Sequence, residues 1–321
     1  MNTSRGQMIV YRSLTEVPPG CGPSVVTIGN FDGVHRGHQQ ILAAALAQAR
    51  ALGCRAVALT FDPHPDHYLR PDHAPLLLTP ISERLRLLAA TGIEATLVLP
   101  FDAALAGLSA HDFVRAVLVD ALGVRGLHEG ANFRFGHRAE AGVAELVTFG
   151  AEYGFTVHVH PAVHVHGLEV SSSAIRERAA AGDMTRARWM LGHPFAVRST
   201  SARDRGVGTR LLVPTVNLAP YGGQLPAFGV YVSCLHVGSR RFQAVTNVGN
   251  RPTFAGAGFS VESHILDFEP IDLGPETPVE IEFLHRLRPE IAWPSPEALK
   301  AQIFRDVARA KRYFHLLSLP R

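Results

Sequence analysis

The residues best placed by type and spacing to do chemistry are His35 and His38, inside the string Gly29-Asn30-Phe31-Asp32-Gly33-Val34-His35-Arg36-Gly37-His38. An apolar run, Val25-Val26-Thr27-Ile28, precedes the string and a long amphipathic stretch follows it, the order of a strand, a turn and a helix. Carboxyl ends of strands and the amides of a helix N-terminus together make an anion site, and glycine lets backbone approach phosphate closely. Gly29, Phe31, Asp32, Gly33 and Gly37 are therefore candidate contacts for a nucleotide triphosphate. Two imidazoles three positions apart at a helix start can face one triphosphate and stabilise charge as pyrophosphate leaves. No protein nucleophile is required when the acceptor's own oxygen attacks, because catalysis is then positioning plus charge stabilisation. Taken alone, the histidine pair reads equally well as a helix cap or a surface feature.

A second constellation is Ser171-Ser172-Ser173 with Arg176 one turn on. Serines at a helix N-terminus cap it, and a guanidinium at that spacing offers a fork for phosphate. The only lysines are Lys300 and Lys311, so no glycine-rich loop carries the lysine of a Walker A motif. His158, His160, His164 and His166 form two His-x-His pairs; without a cysteine or carboxylate cluster they read as a polar sheet edge before a metal site.

These residues need a scaffold, and 321 residues suffice for two domains. From Ser24 to about Leu191, short apolar runs alternate with amphipathic stretches, the pattern of a parallel α/β sheet. Strands are expected at 25–28, 56–61, 95–99, 127–129 and 156–165, and helices at 37–52, 81–90, 110–122, 144–153 and 173–181. After Leu191, runs at 211–218, 229–237, 241–248, 261–268 and 279–283 are separated by Gly and Pro, as in a small antiparallel β-barrel. A helix over 296–314 closes the chain, and the expected domains are 1–190 and 191–321. With a net charge of +3 and basic residues spread along the chain, nucleic acid is not an expected partner. No apolar run is long enough for a membrane span, and the three cysteines lie far apart, which places the expected protein in a reducing cytoplasm.

The His35-Arg36-Gly37-His38 string after a strand resembles the HxxGH-type signature of the nucleotidyltransferase superfamily. Thr27 to His38 as a whole resembles the bacterial bifunctional riboflavin kinase/FMN adenylyltransferase (FAD synthetase) family. The family's later blocks recur in order as Thr60-Phe61-Asp62-Pro63-His64-Pro65, Gly130-Ala131-Asn132-Phe133-Arg134-Phe135-Gly136 and Val170-Ser171-Ser172-Ser173-Ala174-Ile175-Arg176. The resemblance implies a Rossmann-like nucleotidyltransferase sheet followed by a riboflavin-kinase-like barrel. It implies that AMP passes from ATP to FMN, giving FAD and pyrophosphate. His35 and His38 would contact the ATP phosphates, Asn132 the reacting phosphate region, and Ser172 and Arg176 the β and γ phosphates. Phe61, Pro63 and His64 would lie near the flavin ring. Glu169 departs from the basic residue many relatives carry there.

In the second half, Pro214-Thr215-Val216-Asn217 and Val261-Glu262-Ser263-His264-Ile265-Leu266-Asp267-Phe268 resemble the riboflavin kinase motifs. By that resemblance Thr215 and Asn217 bind Mg²⁺ and nucleotide phosphate, and Glu262 takes the proton from the ribityl hydroxyl of riboflavin. Counting back from Pro214, Ser199, Asp204, Thr209 and Leu212 stand where relatives have Gly, Gly, Arg and Gly, and only Gly206 and Gly208 remain. An aspartate there brings negative charge toward an anion, which predicts a weakened kinase half. Two alternatives stay open at this point: an adenylyltransferase for a modified flavin, and a flavin-binding regulatory protein with an inactive kinase module.

Overall fold

The computed structural model describes residues 7–202, 215–253, 256–267, 273–274 and 276–319. Gly206 and Gly208, with Asp204, Thr209 and Leu212, lie outside the described residues. The chain divides into two compact units, the first ending at Ser172 and the second beginning at Ser173.

The first unit contains β1 (Ile9–Tyr11), β2 (Ser24–Ile28), α1 (Arg36–Leu52), β3 (Arg55–Phe61), α2 (Pro65–Leu69), α3 (Ile81–Thr91) and β4 (Ala95–Leu99). It continues with α4 (Ala103–Ala106), α5 (Ala110–Phe113), β5 (Val124–Gly130), β6 (Arg134–Phe135), β7 (Ala141–Gly142), α6 (Val143–Tyr153), β8 (Thr156–His160), β9 (His164–Val165) and β10 (Leu168–Glu169). The main sheet is six-stranded, in the order β1-β4-β3-β2-β5-β8, with every pair parallel. Later strands therefore lie on both sides of β2, and the order reverses between β2 and β5. Ligands of open α/β sheets bind at the carboxyl ends of strands beside such a reversal.

The two faces of the sheet are filled differently. Val25, Ala56 and Ala58 pack against Leu42, Ala45 and Ala49 of α1, while Val26, Leu59 and Leu127 pack against the helices on the other side. Both faces being covered, β2 and β4 are buried throughout and carry no polar alternation. Ser109 caps α5 as its sequence position predicts, accepting from Asp112 N, but the helix continues as a π-helix over Val114–Ala121. The strand expected to reach Val165 stops at His160, before Pro161, and β9 pairs with β10 as a separate hairpin. The expected histidine stripe is thus split, with His164 on the hairpin and His158 and His160 on the main sheet.

Helix α7 (Ser172–Ala180) starts on the last residue of the first unit, and the second unit continues with α8 (Met184–Leu191), β11 (Phe195–Thr200), β12 (Thr215–Asn217), β13 (Gly229–Val237), β14 (Arg240–Thr253), β15 (Gly256–Ile265), β16 (Pro278–Pro289) and α9 (Pro296–Ser318). Its antiparallel sheet runs β11-β16-β13-β14-β15-β12. Ala202 N donates to Asn217 O and Ala219 N to Thr200 O, both at 2.8 Å, so the first strand meets the last and the sheet closes into a barrel. Within the wall, the hydroxyls of Ser233, Thr246 and Ser263 bond across three strands at 2.6 and 2.7 Å, satisfying buried polar groups. Ala310 and Phe314 of α9 seat on Val232, Cys234 and Leu284 of the outer wall. The α/β first half, antiparallel barrel and terminal helix match the expectation from sequence. Helix α8, which packs on β11 and β16, was not foreseen.

Candidate active site

The turn from Gly29 to His35 joins β2 to α1 at the carboxyl edge of the sheet. Gly33 sits at φ +81°, and Phe31 and Val34 take left-handed φ of 48° and 38°, which costs a non-glycine residue energy unless its surroundings over-determine it. The anchors are their own side chains, both buried in the core under α1. Asp32, a candidate nucleotide contact, turns inward instead: its carboxylate accepts from Leu78 N, Thr79 N and Thr79 Oγ1 at 3.0, 2.8 and 3.1 Å. The Thr79 hydroxyl in turn accepts from Gly33 N at 2.9 Å. Asp32 thus clamps the turn to residues 78–79.

His35 caps α1, its Nδ1 accepting from His38 N at 3.3 Å, and its ring stacks on that of His38 with centroids 3.6 Å apart. A Cβ at Gly37 would stand 3.1 Å from His35 Cε1, so glycine leaves room for this stacking. Phe31 meets His38 edge-on at 5.2 Å. His38 Nδ1 is buried without a hydrogen-bond partner among the described residues. Burial, then His35 and Arg84, hold the His38 imidazole well below the usual histidine range, so it is neutral at pH 7. Ser172 Oγ donates to Asp32 O at 2.9 Å within the first unit, and Arg176 lies on α7. Asn132 is exposed in the turn after β5.

His64 caps α2 through Asp66 N at 3.1 Å, and its Nε2 lies 3.0 Å from the Asn30 amide, which ties the β3 end to the phosphate turn. Phe61 is half-buried and Pro63 exposed beside it. Two residues that sequence reasoning passed over complete an aromatic group here: Phe101 meets Phe61 edge-on at 5.6 Å and Tyr68 at 6.2 Å. Arg84 is a third. It is fully buried, and its Nη1 donates to Phe61 O at 2.9 Å.

The histidines of β8 form a network, not a converging ligand set. His128 on β5 bonds His160 Nε2 at 2.9 Å and Gln48 Oε1 at 2.8 Å, and its ring stacks on those of His158 and His160. Burial, then His158 and His160, push His128 down to about 4. The unfolded chain takes up this proton near pH 6.5, so the folded state is favoured above that pH and loses the contribution as pH falls toward 4. We expect thermal denaturation to show about 3 kcal/mol less stability at pH 4 than at pH 7 from this group, and His128→Gln to remove that part of the pH dependence.

In the barrel, Asn217 pairs with Glu262 on β15, and Glu262 pairs with Asn247 on β14, so the three side chains lie in one row. Thr215, two residues from Asn217, shares its face. Thr215, Asn247 and Glu262 line a cavity of about 410 Å³ between this wall and α9. Arg288 and Trp293 line it too, with the guanidinium 5.4 Å over the indole and bonded to the buried Asp306 at 2.9 Å. The apolar side is Leu299, Ile303 and Val307 of α9. The Glu262 carboxylate, the Asn247 amide and the Thr215 hydroxyl opposite an aromatic and aliphatic wall suit a ligand with a flat apolar body and a polar tail. The oxygen donors of Thr215 and Asn217 also fit Mg²⁺, which takes hard oxygen ligands.

Residues 19–174 match the FAD synthetase family and residues 191–314 the riboflavin kinase family. A bifunctional riboflavin kinase/FMN adenylyltransferase of Pseudomonas fluorescens is 36% identical over 305 residues, covering 95% of this chain and 97% of that protein. The protein of the same name from Escherichia coli K12 is 35% identical over 306 residues, covering 95% and 96%. Among solved structures, one described as a macrolide-efflux protein from Streptococcus pneumoniae superposes with a TM-score of 0.85 at 27% identity, covering 95% of this chain and 99% of that one. Among the described residues of this chain, no helix is long and apolar enough to cross a membrane. On both halves and nearly its full length, the chain belongs to the bifunctional riboflavin kinase/FMN adenylyltransferase family.

Proposed function

We propose that residues 1–190 transfer AMP from ATP to FMN, releasing pyrophosphate and forming FAD, and that residues 191–321 phosphorylate riboflavin to FMN at a reduced rate. The observation that carries the first activity is the stacked His35–His38 pair at the start of α1, beside the reversal of strand order. An FMN phosphate oxygen attacks the α-phosphorus of ATP as the bond to pyrophosphate breaks. The imidazole N–H groups and the helix N-terminus stabilise the charge that develops on the leaving group. Ser172 and Arg176 hold the β and γ phosphates, Asn132 the reacting group, and the aromatic group around Phe61 the flavin ring, with Pro63 and His64 beside it. Ser171, Gly29, Gly33 and Gly37 shape the phosphate cradle.

The row Asn217–Glu262–Asn247 supports the kinase reading. Glu262 takes the proton of the ribityl hydroxyl as that oxygen attacks the γ-phosphorus of ATP. Mg²⁺ held by Thr215 and Asn217 would neutralise phosphate charge there. The sequence departures before Pro214, Asp204 above all, are the reason for assigning this step the lower rate. In separate reactions with MgATP, FMN will be converted to FAD promptly, whereas riboflavin will give FMN slowly and then FAD. Mass spectrometry of the products checks this. Absence of any adenylylated flavin from FMN, riboflavin or flavin analogues would leave only a flavin-binding protein, and riboflavin turnover matching that of FMN would remove the rate assignment.

A further inference from the structure

Glu129 is a buried acid that the reaction as described does not use. It is the next-to-last residue of β5, three residues before Asn132, and is 2% exposed. One carboxyl oxygen accepts from Ile28 N at 2.6 Å, across the gap between β5 and β2 where the strand order reverses. Ile28 is the residue before Gly29, so this bond lies at the root of the phosphate turn. Among the described residues the carboxyl makes no other hydrogen bond and no ion pair.

A buried carboxylate with one amide donor and no cation is costly, and burial of that kind favours the protonated acid. Charged and titratable groups on the packed elements are engaged elsewhere. His35 and His38 on the α1 side stack on each other, and His158 and His160 of β8 bond Gln48 and His128. On the opposite face Asp112 accepts from Ser109, Arg115 and Asp120 pair at 3.9 Å, and Glu145 accepts from Gly142 N. Burial accordingly pushes the Glu129 carboxyl well above its usual range, against the smaller opposing effect of the Ile28 bond.

We propose that Glu129 is a nucleotide-positioning residue that meets ATP as a neutral carboxylic acid, holding Ile28 N–H with one oxygen and donating a hydrogen bond from the other to a phosphate oxygen. The proposal rests on the adenylyltransferase reading of the same site. A neutral acid gives phosphate a donor without adding a charge that would have to be solvated. An ionised one would set negative charge against the polyphosphate and lose the donor.

The test compares full-length wild type with Glu129→Gln, whose amide keeps one acceptor and one donor but cannot ionise, and Glu129→Leu, which keeps only bulk. At neutral pH Glu129→Gln holds its KM for ATP within about threefold of wild type, while Glu129→Leu raises it at least tenfold with thermal stability followed in parallel. As pH is raised, the KM for ATP climbs in wild type and stays level in Glu129→Gln. Infrared difference spectra show a protonated-carboxyl stretch in wild type that Glu129→Gln lacks and that shifts when MgATP is added. Superimposable pH profiles for wild type and Glu129→Gln, or no such band, overturn the proposal while FAD formation by both leaves the adenylyltransferase reading intact. The infrared band needs no turnover, so a wild type that makes no FAD counts against that reading separately.

Discussion

His38→Ala will slow FAD formation from FMN about 10²- to 10³-fold, the usual cost of deleting one preorganised donor to a developing charge. The side chain is fixed before substrate arrives: its ring is stacked on His35 at 3.6 Å and edged by Phe31 at 5.2 Å. It therefore needs no reordering as charge moves onto pyrophosphate. The loss should fall on kcat, because the interaction strengthens as the bond to the leaving group breaks. FMN binding, followed by quenching of flavin fluorescence, should be nearly unchanged, since the aromatic group around Phe61 is built on the end of β3 and on Phe101. Pyrophosphate release measured alongside separates the two effects. A variant that retained its rate within a few-fold would mean that the triphosphate is not seated against this ring.

Glu262→Gln is the counterpart in the second unit. It should lower riboflavin phosphorylation about 10²- to 10⁴-fold, the range for removal of a general base, and leave FAD formation from supplied FMN unchanged. The substitution keeps the size of the side chain and its place between Asn217 and Asn247, so the barrel register has no reason to shift. Riboflavin and FMN fed separately with MgATP, with FMN and FAD resolved chromatographically, give the readout. Equal loss of both activities would contradict the division of labour between the two units.

Much of the scaffold was legible in local pattern. The strand over 229–237 was placed to the residue, and the strand over 24–28 and helix over 36–52 to within one, because each is a clean apolar run or amphipathic stretch bounded by turn residues. The histidine pair was legible for the same reason: a strand, a glycine turn and a helix start occur within about a dozen consecutive positions. Helix α8 was missed although Met184, Ala187, Met190 and Leu191 bury one side, since it spans only eight residues and carries three polar ones among them. Strand β11 was missed because Arg198, Ser199 and Thr200 interrupt its apolar pattern, and its place comes from pairing with β16 instead.

The sequence by itself determined which chemistry is present: the two imidazoles and glycines of the phosphate turn, the motif carrying Glu262, and the change from alternating helix and strand to closely spaced strands. Tertiary structure alone decided how distant groups are used. It made Asp32 a clamp on residues 78–79, buried Arg84 against Phe61, and brought Glu129 to Ile28 across 101 positions. It also set Asn217, Glu262 and Asn247 in one row. Local propensity reports the shape of a short segment, whereas burial and strand register depend on partners far along the chain. The upward shift of the Glu129 carboxyl follows from that burial, so it could be read only after the strands were placed side by side.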